Sequence, residues 1–320
     1  MGDRGDVWVK REDLTSTVYG GNKVRTLEAM FGRARAAGAT RMWATGAYGS
    51  NHAVATVLHA RAAGLDGGAI LFPQPAGEPA LANASALLAA RPEVISIGSV
   101  IELPFVMARV RRRTGAYVMP PGGATPEGAL GAASAAFELA DQSARGELPW
   151  PRRVVLAVGS GCTTAGLVAG FHLAHELGLA PPPPRVTSVR VTPWPVTSRL
   201  RLAALAHATM ALLDELRGAS SNTGYATLVA ALDVDGRFIG KGYGRATADG
   251  ARATERMRRA GAPPLDPVYT AKAAAALLDR VGHEPGPMIF WATKSSAPLP
   301  RAIDDEIDAA PASMRAWMGR

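Results

Sequence analysis

Short runs of β-branched and apolar residues at 7–9, 42–44, 69–72, 94–97 and 154–158 alternate along this chain with longer stretches rich in Ala and Leu. A run of three to five apolar residues without polar alternation suits a strand buried on both faces. The stretches 23–37, 50–63, 79–90, 128–141 and 164–177 suit helices, each stopping near Gly, Pro or a polar turn. Such alternation predicts an α/β fold of parallel sheets covered by helices. In those sheets ligands gather at the carboxyl ends of the strands, so chemistry is sought in the turns that follow the apolar runs. The segments 147–153 and 181–184 are the clearest loops, and neither reads as a long tether. With no repeat at solenoid spacing and no low-complexity tail, domains must be separated by packing.

Composition narrows the field. The chain has 320 residues and 33.2 kDa, which suits two modest domains better than one small core. Hydrophobic residues make up 48%, too many for a solvated disordered chain. The net charge of +8 would suit a polyanion. The arginines are scattered, however, and the one dense cluster, Arg109, Arg111, Arg112 and Arg113, lacks interleaved aromatics and reads as a solvated helix end. No nucleic-acid partner is expected. Cys162 is the single cysteine, so no intrachain disulfide forms, and no charged-then-apolar leader opens the chain at Met1, so a cytoplasmic setting is expected. The longest uncharged run, 154–171, is broken by Gly159, Ser160, Gly161 and Gly166 and reads as strand, turn and helix start, not a membrane span.

Four constellations carry candidate chemistry. In the first, Lys10, Arg11, Glu12 and Asp13 precede Gly20, Gly21, Asn22 and Lys23 at the start of a helix. Paired glycines let the backbone approach a flat ligand, and an ammonium at a helix N-terminus is disfavoured, which eases access to the neutral, nucleophilic amine of Lys23. In the second, Ser50, Asn51 and His52 follow a strand. One of them serves as an N-cap, whereas the set offers a hydroxyl and helix amides to a carboxylate and an amide to a phenolate oxygen. His52 reads as packed or solvated at least as readily as functional. The third, Gly159, Ser160, Gly161, Cys162, Thr163 and Thr164, forms a nest for a single phosphate between strand and helix; it matches neither G-x-G-x-x-G nor a nucleotide P-loop. The fourth holds Tyr243, in Lys-Gly-Tyr-Gly, and Tyr269, in the run 265–272. Both are ordinary core residues unless a cofactor lies beside them, where a phenol can hold or move a proton. There is no G-x-S-x-G or C-x-x-C, and His172 with His175 lacks a zinc-protease pattern, so no metal is expected.

Taken together and in order, the KRED, GGNKVR, SNH, GSGCTTAG, GYG and DPVYTAK stretches resemble the D-cysteine desulfhydrase and 1-aminocyclopropane-1-carboxylate deaminase family of fold type II pyridoxal-phosphate enzymes, over nearly the whole chain. The resemblance implies two open twisted α/β domains of the tryptophan-synthase-β kind with pyridoxal 5'-phosphate in the cleft between them, and a homodimer. It places residues 1–25 and 131–320 in a large cofactor-binding domain and 26–130 in a small one. It implies that Lys23 is the Schiff-base lysine, that Asn51 contacts the ring oxygen, and that Gly159, Ser160, Gly161, Cys162, Thr163 and Thr164 hold the phosphate. Ser50, with Asn51 and His52, would bind the substrate, and Tyr243 and Tyr269 would face it.

Four departures qualify this match. The family's deaminases carry a glutamate beside the pyridine nitrogen where this chain has Thr270, which weakens the electron sink that ring opening of a cyclopropane needs. The usual His-Thr-Gly-Gly is replaced by Ala292, Thr293, Lys294 and Ser295, which keeps a hydroxyl for the ring nitrogen and brings a charge near the ring edge. Gly49 stands where glutamine is common, and the chain begins about thirty residues, of the order of one strand and helix, later than its relatives. The expected activity is therefore β-elimination from a small amino acid such as D-cysteine, giving pyruvate and ammonia, with Lys23 as the base. The alternatives are deamination of aminocyclopropane carboxylate, β-replacement, racemisation, or a cofactor-binding protein that has lost turnover.

Overall fold

The computed structural model describes residues 7–320. Residues 1–6, part of the segment expected to open the large domain, lie outside the described residues. Nine strands are found there: β1 (Val7–Lys10), β2 (Arg41–Ala47), β3 (Asp66–Phe72), β4 (Glu93–Ser96), β5 (Ala116–Val118), β6 (Arg153–Val158), β7 (Arg185–Arg190), β8 (Leu232–Asp235) and β9 (Met288–Trp291). The helices are α1 (Asn22–Ala36), α2 (Asn51–Ala60), α3 (Glu78–Ala89), α4 (Leu103–Arg111), α5 (Pro126–Ala144), α6 (Cys162–Glu176), α7 (Arg199–Arg217), α8 (Tyr225–Ala231), α9 (Ala248–Arg259), α10 (Thr270–Arg280), α11 (Asp304–Asp308) and α12 (Ala312–Trp317).

The strands form two parallel sheets, one ordered β1-β9-β6-β7-β8 and the other β4-β3-β2-β5. The inner strands β2, β3, β6 and β9 are mostly buried, which is why they carry the apolar runs. In β6, Val154, Leu156 and Val158 join the core beneath α5, α6 and α7, while Val155 and Ala157 point the other way toward α9 and α10. In β2, Met42 and Ala44 face one core and Trp43 the other. This period of two is the pleat of a strand. All five runs read as strands in the sequence are strands here, with bounds that agree within three residues. This is the fold type II architecture, with one α/β layer system around each sheet.

We propose one domain around each sheet. The cut expected at 26 falls in α1, whose Leu27, Met30, Phe31 and Ala34 pack into the core of the four-stranded sheet. The cut expected at 130 falls inside α5, which packs on α6 over the larger sheet; α6 comes so near that a Cβ on Gly166 would lie 2.2 Å from the Ala129 carbonyl oxygen. The C-terminal part of 131–320, expected with the large domain, returns to the small one. Ile307, Ala310 and Met314 are buried in the small core, and the Trp317 indole donates to the Gln74 carbonyl at 2.6 Å. Their apolar faces find cover there that an exposed tail would lack.

Among the described residues no helix is long and apolar enough to cross a membrane.

Candidate functional site

A cleft of about 510 Å³ runs between the two sheets, at the carboxyl ends of β2, β6, β7 and β9. Its walls bring together residues far apart in the chain because parallel strands all present their following turns on one side.

The turn that positions Lys23 is held by the first motif. The Gly21 amide donates to the Glu12 carbonyl at 2.7 Å and the Asn22 amide to the Thr293 carbonyl at 3.2 Å. The buried Glu12 carboxylate meanwhile accepts from Arg25 Nε at 2.7 Å. Gly21 has φ 89, and a Cβ there would lie 2.4 Å from Thr293 O, so no other residue fits the approach. The acidic half of KRED is thus a brace for the GGNKVR turn. Lys23 follows as the second residue of α1, half-buried in the cleft wall, with no partner for its amine among the described residues. Burial lowers its pKa from the ordinary lysine value, against a smaller opposing effect from nearby Cys162. An unpartnered amine facing a cleft, with its pKa lowered by burial, can serve as a nucleophile or a base.

Ser50 is the N-cap of α2, its Oγ accepting from the Ala53 amide at 3.3 Å, while the Asn51 and His52 amides have no protein acceptor among the described residues. Asn51 Oδ1 accepts from Tyr19 Oη at 2.8 Å, Asn83 Nδ2 at 2.8 Å and Lys294 Nζ at 2.9 Å. Three donors on the oxygen fix the orientation of the amide and leave its NH2 to donate elsewhere. His52 is only 2% exposed, yet neither ring nitrogen has a partner. Burial, and then the charge of Lys23, push its pKa down to about 3, so the ring is neutral.

Gly159, Ser160 and Gly161 lead from β6 into α6, which has no side-chain cap. Its first amides are therefore free to meet an anion. Asn22 Nδ2 donates to Thr163 Oγ1 at 2.7 Å, locking this loop to the start of α1. Two expected phosphate contacts point elsewhere: the Cys162 thiol donates to the Gly123 carbonyl at 3.0 Å, and the Thr164 hydroxyl pairs with Ser188 Oγ at 2.9 Å. Tyr243 and Tyr269 both line the cleft, with their hydroxyls 2.9 Å apart and their rings edge-on, and burial raises both pKa values.

Thr270 does not reach the cleft. Its hydroxyl donates to Asp266 Oδ2 at 2.7 Å, because it starts α10 on the residue whose carboxylate also accepts the amides of Val268, Tyr269 and Thr270. Thr293, by contrast, lines the cleft. The sequence reading passed over Tyr19, Asn83 and Lys272. The Lys272 ammonium, fully buried, donates to the carbonyls of Ile239 at 2.9 Å and Gly242 at 3.3 Å and so holds the loop that carries Tyr243.

These features fit pyridoxal phosphate. The uncapped α6 suits a phosphate, the free Asn51 NH2 suits a phenolic oxygen, and the orphaned His52 nitrogens and Lys23 amine mark a polar hollow without protein partners. No cluster of three or more His, Cys, Asp or Glu that could hold a metal occurs among the described residues.

Comparison with known proteins agrees. Residues 2–292 match the family model described as pyridoxal-phosphate dependent enzyme. The chain is 37% identical to the nocardicin C-9' epimerase of Nocardia uniformis subsp. tsuyamanensis, covering 91% of this chain and 86% of that protein. It is 30% identical to the D-cysteine desulfhydrase of Salmonella paratyphi C, covering 92% and 88%. A solved structure described as an ACC deaminase homologue superposes with a TM-score of 0.75 at 29% identity, over 92% of this chain and 85% of that one. The chain therefore belongs to the pyridoxal-phosphate dependent enzymes, in the group that includes D-cysteine desulfhydrase and 1-aminocyclopropane-1-carboxylate deaminase.

Proposed function

We propose that this enzyme removes the α-proton of a small amino acid and expels a β-substituent, in the manner of D-cysteine desulfhydrase, releasing pyruvate and ammonia. The observation that carries the reading is the unpartnered, desolvated amine of Lys23 in one cleft with the uncapped α6 and the Ser50–Asn51 turn.

When bound, the cofactor supplies an electron sink for charge developing at the α-carbon. Lys23 would hold the cofactor and would serve as the base that takes the α-proton, a role that the lowering of its pKa by burial favours. The amides at the start of α6, with Ser160 and Thr163, would hold the phosphate, the Asn51 NH2 would donate to the ring oxygen, and the Thr293 hydroxyl would serve the ring nitrogen in place of a carboxylate. The Ser50 hydroxyl and the free amides of Asn51 and His52 receive the substrate carboxylate. The Tyr243–Tyr269 pair, sharing one hydrogen bond, passes a proton to the leaving group. With Thr270 turned onto Asp266, no carboxylate replaces the deaminases' glutamate at that position, which favours elimination over ring opening.

A second reading is epimerisation at the α-carbon, favoured by the 37% identity to an epimerase. It uses the same proton abstraction but returns the proton to the opposite face. The test is the visible spectrum of the holoenzyme with D-cysteine and a pyruvate assay in the same cuvette. Pyruvate supports elimination. Incorporation of α-deuterium from D2O with inversion and without pyruvate supports the second reading. Lys23→Ala should lose the band of the lysine-bound cofactor, and a retained band refutes the lysine assignment. We also propose a homodimer in the cytoplasm, to be checked by light scattering and cell fractionation.

A further inference from the structure

Lys294 reaches from the turn after β9 across the cleft to the start of α2. Its Nζ lies 2.9 Å from Asn51 Oδ1, 3.2 Å from Tyr19 Oη and 3.4 Å from Asn83 Oδ1. All three are neutral groups. Among the described residues Asp266 is the only carboxylate in the cleft wall, and its oxygens are taken by three amides and the Thr270 hydroxyl; it forms no ion pair with Lys294. Burial lowers the pKa of Lys294 and the Asp266 charge opposes this only in part, so its ammonium form gains most from an incoming anion. The free amides of Asn51 and His52 and the Ser50 hydroxyl lie at the same helix N-terminus, whose partial positive charge adds to that of the ammonium. The ammonium and the helix N-terminus are thus two sources of positive potential on one wall of the cleft.

We propose that Lys294 is a specificity-determining residue that binds the α-carboxylate of the substrate by direct charge pairing, and so makes this cleft more selective for free amino acids than relatives with glycine at this position. The inference rests on the amino-acid reading above. Its consequence is that neutralising the substrate carboxylate and neutralising Lys294 should each remove the same contact.

The experiment uses holoenzyme, with the cofactor's visible band as the readout of binding. D- and L-alanine and the corresponding alaninamides are titrated into wild type, Lys294→Gln and Lys294→Met. Gln retains a donor for Asn51 without the charge, and Met retains only bulk. The preference of wild type for the acid over the amide should fall about tenfold in both variants, the value of one charge-assisted contact, with cofactor occupancy unchanged. An undiminished preference in Lys294→Gln would show that the ammonium merely supports Asn51 and overturns the proposal. If neither alanine enantiomer perturbs the band of wild type while cofactor is bound, the amino-acid reading itself fails, and this inference with it.

Discussion

Replacing Lys272 by Met should reveal how the tyrosine pair is kept together. Tyr269 immediately precedes α10, and three residues later Lys272 sends its buried ammonium to the carbonyls of Ile239 and Gly242, the latter being the residue before Tyr243. One helix therefore positions both phenols, one covalently and one through a lysine. Removal of the ammonium leaves two carbonyls short of a charged donor. An unsatisfied buried acceptor costs about 1–3 kcal/mol, and relief from burying the charge offsets part of that, so a net loss of roughly 2–4 kcal/mol is expected, with little cavity because Met is nearly as long. Denaturant unfolding of wild type and variant at matched cofactor saturation measures it. Activity should fall together with stability, and adding Tyr243→Phe to Lys272→Met should cost less than it does in wild type, since the phenol has already lost its place. A stability change within about 0.5 kcal/mol, the range of an ordinary surface substitution, together with full additivity, would refute the bracing role.

Other consequences can be checked in parallel. His52, with a pKa near 3 in the folded chain against 6.5 ordinarily, leaves the unfolded chain holding more protons between those values, so its contribution is intact above pH 6.5 and is lost as pH falls toward 3. Between pH 7 and pH 5, wild type should lose about 2 kcal/mol more than His52→Leu, and parallel curves would contradict a neutral buried ring. Gly166→Ala drives a methyl into the Ala129 carbonyl, so α5 and α6 must separate, and a loss of about 1–3 kcal/mol in unfolding experiments is expected; unchanged stability would mean that the helices yield freely. Thr270→Glu sets a second carboxylate against Asp266 at a buried helix start, and is expected to destabilise the protein by more than about 2 kcal/mol. A variant as stable as wild type would show that position 270 does face the ring.

The parallel α/β plan was legible because buried strands leave unbroken apolar runs and their turns collect glycine and hydroxyl residues. Strands β5, β7, β8 and β9 were not among the runs read as strands; β7 and β8 interleave polar residues with apolar ones, and β5 is only three residues long. Whereas Tyr243 and Tyr269 gained meaning only beside the other motifs, Lys23, Ser50, Asn51 and Gly159 stood out in the sequence because each sits in a motif at a strand end or helix start. Tyr19 and Asn83 did not, since Asn83 lies in the interior of an Ala-rich helix where nothing local marks it, and its bond to Asn51 depends on the packing of α3 on α2. Cys162 and Thr270 sat in the right motifs, but their side chains point to Gly123 and Asp266, a matter of rotamer that spacing cannot convey. The return of the C-terminal helices to the small core was invisible for the same reason.

That return affects the order in which the protein is made. The four-stranded sheet is complete once residue 118 has been synthesised, yet its core lacks Ile307, Ala310 and Met314 until the chain has been made as far as residue 314. The half translated first is thus finished last, after the five-stranded sheet has closed with β9. Removing α11 and α12 would expose the apolar core around the four-stranded sheet, and a protease or chaperone would meet the defect there, far in sequence from the cut.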